Sequence, residues 1–94
     1  MALARVVTFD GVSKERMDEL DRQMQSGEPP EGMPPAELLV LHDPSAEKSI
    51  AIVIFESEDD YAKGDEILGN MPTDNTPGTR TSVTKYNVAT RMKA

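Results

Sequence analysis

The stretch ELLVLHDPSAEKSIAIVIFES, residues 37–57, holds two aliphatic runs on either side of the only histidine of the chain, His42. Its second run, IAIVIF at 50–55, decides the fold. Apolar residues occupy both parities: Ile50, Ile52 and Ile54 on one side, Ala51, Val53 and Phe55 on the other. Because side chains alternate across a strand, such a run predicts a strand covered on both faces. The first run, Leu38–Leu41, predicts its neighbour. Between them, Asp43 before Pro44 favours an extended residue followed by a turn.

Upstream, LARVVTFDG reads as a first strand, with Val6, Val7, Thr8 and Phe9 suited to a pleated surface and Asp10-Gly11 to end it. Ser13 is placed as a helix N-cap, with Val12 and Met17 spaced as a hydrophobic staple. Met17, Leu20 and Met24 form a narrow apolar stripe, Asp18 and Arg22 are spaced to pair, and Gly27 ends the helix. GEPPEGMPP, residues 27–35, excludes helix and central strand and is expected to be a crossover, or a lid carrying Met33 over a pocket.

Downstream, Ser57 caps a second helix whose first turn holds Glu58, Asp59 and Asp60. Tyr61, Leu68 and Met71 lie on one side, with Gly64 between them, where a missing side chain permits close approach to a sheet. Asn70 and Pro72 stop it. A polar loop with a Pro77-Gly78 turn leads to a last strand within TSVTKYNVATR, half polar, as suits an edge or a subunit contact. The order is β-α-β-β-α-β. Residues 1–94 therefore form a single α+β, ferredoxin-like domain, a four-stranded antiparallel sheet with both helices on one face. Two helices cannot cover two faces, so the second apolar face of 50–55 implies a homodimer of sheets packed face to face.

Composition bounds the function. The net charge is −7, there is no tryptophan, and the only aromatic residues are Phe9, Phe55, Tyr61 and Tyr86. Phosphate backbones would be repelled and bases would find no stacking platform, so nucleic acid is not an expected partner. Cysteine is absent, which excludes disulfides and thiol catalysis and removes the best zinc ligands. No run approaches a membrane span and the start lacks an apolar leader, so a soluble, cytoplasmic protein is expected. All 17 acidic residues precede position 75, whereas Arg80, Lys85, Arg91 and Lys93 follow it. A basic segment on an acidic body implies pairing with acidic neighbours or, alternatively, an anion site.

Arrangement, length, the Pro/Gly crossover and the segment LVLHDPSAEKSIAIVIFESEDDYAKGDEIL resemble the dimeric α/β-barrel superfamily, and within it most closely the small antibiotic biosynthesis monooxygenase-type proteins. The similarity spans nearly the whole chain and is one of pattern. It implies a dimeric α/β barrel and, among its activities, cofactor-independent monooxygenation of aromatic, polyketide-like substrates, isomerisation and haem degradation. The haem-degrading members use an asparagine on the first strand, a tryptophan near the third and a histidine on the second helix, none of which is present here. For a monooxygenase or isomerase the polar candidates are His42, Tyr61, Tyr86 and Asn87.

An imidazole has the chemistry of a general base or acid where it faces a cavity and a partner orients it; otherwise His42 is a strand-end residue bonded to the turn at Asp43–Ser45. Arg5, Lys85, Asn87 and Arg91 interrupt strands and either converge on a carboxylate or phenolate ligand or pair across an edge. The acidic run Glu56–Asp60 is read as helix capping and not as a metal site. Two functional expectations follow. One is a small-ligand-binding or structural homodimer for an apolar or acidic metabolite, with no cofactor; the other is a cofactor-independent monooxygenase or isomerase, which needs a closed cavity touching His42 or Tyr86.

Overall fold

The computed structural model describes residues 2–27, 32–70 and 78–92. Four strands, β1 (Leu3–Asp10), β2 (Ala36–Asp43), β3 (Lys48–Phe55) and β4 (Thr79–Asn87), alternate with α1 (Lys14–Ser26) and α2 (Glu58–Gly69) in the order β1-α1-β2-β3-α2-β4. They form one antiparallel sheet of order β2-β3-β1-β4. This is the ferredoxin-like α+β arrangement expected from the sequence. The register is continuous from Leu3↔Phe55 to Asp10↔Lys48 between β1 and β3, and breaks only between Thr8 and Phe9 opposite β4.

Each helix begins where the sequence places a cap. Ser13 Oγ accepts from the Arg16 amide and Ser57 Oγ from the Asp60 amide, satisfying donors the first turn leaves over. Val12 is fully buried with Met17 packed against it, as a staple requires. The expected Asp18–Arg22 pair does not form. Asp18 instead takes the Lys14 ammonium at 3.0 Å, its i, i+4 neighbour on the preceding turn, while Ser26 occupies the Arg22 carbonyl.

Strand parity divides the sheet. Leu3, Arg5, Val7 and Phe9 share their face with Ser49, Ala51, Val53 and Phe55, and α2 packs on these two central strands. Leu3, Val53, Phe55 and Tyr61 form one core cluster, and Val7, Phe9 and Val12 a second beneath Met17. Phe55 and Tyr61 meet edge to face, centroids 5.7 Å apart. Gly64 lies against the Phe55 ring, the close approach its missing side chain allows. Met33, from the expected crossover, packs on the first cluster; residues 28–31 lie outside the described ones. Met71, Pro72 and the Pro77 turn also lie outside them.

The opposite face carries Ala4, Val6, Leu39, Leu41, Ile50, Ile52, Ile54 and Tyr86, and among the described residues no helix lies over it. Leu39, Leu41 and Tyr86 are about half exposed. Toward the Thr8 end this face turns polar, and the hydroxyls of Thr81 and Ser82 both bond that of Thr8.

Candidate functional site

His42 lies on the helix-side face of β2, opposite Ser49 in the ladder. β2 is an edge strand, and between its helix-side face and α1 runs a groove of about 430 Å³, open to solvent. Helix α1 contributes Met17, Asp18, Asp21, Met24 and Gln25; β2 contributes Leu38, Val40 and His42. The spacing explains the convergence. Met17, Asp21 and Met24 recur at the i, i+4, i+7 positions of one helix face, and Leu38, Val40 and His42 at the alternate positions of one strand face.

The imidazole is anchored. His42 Nε2 lies 2.9 Å from the Val12 carbonyl oxygen, which only accepts, so Nε2 carries the proton and donates. That corrects the expected bond to the turn. Asp43 serves the turn itself, its carboxylate accepting from the Ser45 and Ala46 amides. Beside His42, buried Ser49 donates its hydroxyl to the Leu41 carbonyl.

The other candidates lie elsewhere. Tyr61 is buried in the first turn of α2, with the Lys85 ammonium 4.9 Å from its ring centroid. Burial, and next the Asp65 carboxylate, raise its phenol above the ordinary value. Asn87 is exposed at the end of β4 opposite Leu3, whereas His42 shares the row of Ser49 and Phe9. Three strand spacings and the length of β1 from Leu3 to Phe9 separate them, about 14 Å across the sheet and about 20 Å along it. Tyr86 points to the other face, half exposed. The four residues do not meet in one constellation.

Three of the basic candidates, Arg5, Lys85 and Arg91, have acidic partners. Arg5 and Lys85 stand on one face, but Arg5 Nε donates to Asp65 Oδ1 at 2.8 Å and Lys85 pairs with Glu58. Arg91 pairs with Glu56 at 3.0 Å and with Glu37. The hydrogen bond to Glu58 raises the Lys85 ammonium, and those to Glu56 and Glu37 raise Arg91. Lys85 and Arg91 of the basic segment thus pair with the acidic body. Among the described residues, no three of His, Asp and Glu are grouped to hold a metal ion, and no helix is long and apolar enough to cross a membrane.

Sequence reasoning finds His42 but not its companions. Periodicity assigns Met17 and Met24 to the core, yet Met24 is 39% exposed and faces the edge of β2. Asp18 and Asp21, spaced i, i+3 beside that stripe, are the available signal. No protein-family model matches the chain, and no curated protein sequence matches it.

Proposed function

We propose that the protein is a cytoplasmic small-ligand-binding module that works as a homodimer, with the ligand in the groove between α1 and β2. The observation that supports this reading is the groove itself, a mixed apolar and polar cleft of small-molecule size on an otherwise simple fold. Its histidine is committed to a structural bond with Val12, and no base, nucleophile and orienting group stand together around it among the described residues. Of the ligand types expected from the sequence, the apolar one has a lining here, whereas an acid would meet Asp18 and Asp21. Dimerisation rests on the uncovered face of Ile50, Ile52 and Ile54, whose apolar patch is of the kind that monomers seldom expose. The resemblance to the dimeric α/β-barrel superfamily points the same way.

A second reading, a cofactor-independent monooxygenase or isomerase on a small aromatic or polyketide-like substrate, is favoured by the His42 ring in the groove wall. Thermal unfolding against aromatic polyketides, phenolic acids and apolar amines, followed by oxygen uptake with each ligand found, separates the two. Binding without turnover supports the module; turnover abolished in His42→Ala supports the enzyme. A ligand at a hundred times its dissociation constant adds about 2.7 kcal/mol, a shift of roughly ten degrees or more in a domain of this size.

A further inference from the structure

We propose that the ligand taken by the α1–β2 groove is an apolar amine, its ammonium group held by Asp18 and Asp21 and its apolar body lying on Met17, Met24 and Leu38. This rests on the groove being the binding site. Two observations select the class. The first is charge: both ionisable α1 residues in the lining are carboxylates, neither Lys nor Arg is among them, and the whole chain carries −7. A cleft lined by one sign concentrates the opposite one.

The second is hydrogen-bond polarity, which is independent of net charge. Gln25 Nε2 already donates one of its two hydrogens to Asp21 Oδ1 at 3.2 Å, which leaves the side chain one N–H and its accepting oxygen. His42 donates through Nε2 to Val12, so a neutral ring offers only Nδ1, again an acceptor. With two carboxylates, the groove presents acceptors and few donors. An ammonium supplies three donors and needs no acceptor; a carboxylate ligand would find one Gln25 N–H and no cation among the lining residues. The Lys14–Asp18 pair at the rim is exposed on both sides, 77% and 59%, and such a pair is weak enough for an incoming ammonium to replace. Met17 and Met24 give the body an adaptable bed, which suits a class of ligands more than one rigid shape.

The test is a nitrogen-15 amide NMR titration of the full chain with three probes of one shape: 2-phenylethylamine, 2-phenylethanol and 3-phenylpropionate. The amine is expected to shift amides of α1 and β2 and to bind roughly tenfold more tightly than the alcohol, the effect of two partly exposed charge pairs. The propionate should be weakest. In the double variant D18N/D21N the amine falls to the level of the alcohol, and alcohol binding is retained. Should that variant unfold, raised salt serves in its place, weakening the amine alone. Alcohol or propionate binding at the groove as tightly as the amine would overturn the amine class and leave the groove standing. Absence of shifts at α1 and β2 with all three probes would overturn both.

Discussion

Gly64 and Phe55 are in direct apposition: a Cβ placed on Gly64 would come closer to the Phe55 ring than real Cβ atoms come to any heavy atom. The glycine is therefore a packing residue, and Phe55, fully buried, has no room to retreat. In an unencumbered helix alanine would be better than glycine by about 1 kcal/mol. Here overpacking, typically about 1–3 kcal/mol and near its upper end for a ring this confined, outweighs that gain. Gly64→Ala should lower stability by about 1–2 kcal/mol, or several degrees in Tm. The double variant with Phe55→Leu should show a smaller Tm loss than the two single losses added together; additivity would show that the two residues do not conflict.

Ile52 and Val53 are adjacent in sequence and opposite in consequence. Val53 lies in the core beneath α2, Ile52 on the uncovered face. Hydropathy alone does not separate them, but their parity does. Val53→Asp should abolish cooperative unfolding. Ile52→Asp should leave the circular dichroism spectrum intact and convert a dimer into a monomer in light scattering, and a monomeric wild-type protein would refute the dimer.

His42 joins the edge strand to the start of α1 through the Val12 carbonyl. Removing the ring leaves that carbonyl short of its donor, a loss of about 1 kcal/mol, up to about 3 if water does not replace it. His42→Ala should shift the denaturant midpoint accordingly without changing the slope. Unchanged stability would mean that the bond contributes nothing and that the residue is held for its chemistry.

Alkaline pH should loosen the end of the sheet near α2. Tyr61 and Lys85 both titrate higher in the folded chain than in the unfolded one, Tyr61 chiefly through burial and Lys85 through its bond to Glu58. For a raised value the protonated form is the stabilised one. The contribution is complete below about pH 10, where the unfolded groups begin to titrate, and is lost as pH rises through the folded values. Tyr61→Phe should flatten the decline in Tm that sets in above about pH 10; an unaltered profile would assign it to other groups.

The fold was legible because its signals are local and mutually consistent: two serine caps, Gly64 opposite a bulky strand residue, and a strand apolar at both parities. Pairing of the basic segment was legible as a charge imbalance, though its partners Glu37, Glu56 and Glu58 were not, since they depend on how β4 and the residues after it cross the sheet. The groove was the least legible. Met24 has the spacing of a core residue, and only the position of β2 at the edge leaves it partly uncovered. His42 gave no hint of Val12 as its partner, a contact between residues 30 apart in sequence.

The placement of β1 has a temporal consequence. Made first of the strands, it ends between β3 and β4, paired with Phe55 on one side of Leu3 and with Asn87 on the other. On the ribosome β1 waits with an edge unsatisfied until Thr79–Asn87 has emerged, so the sheet closes late and by pairing strands far apart in sequence, which slows folding. During that interval the aliphatic strand β3 is exposed as well, and the acidic residues that crowd the earlier part of the chain act as mutual repellents between neighbouring nascent copies.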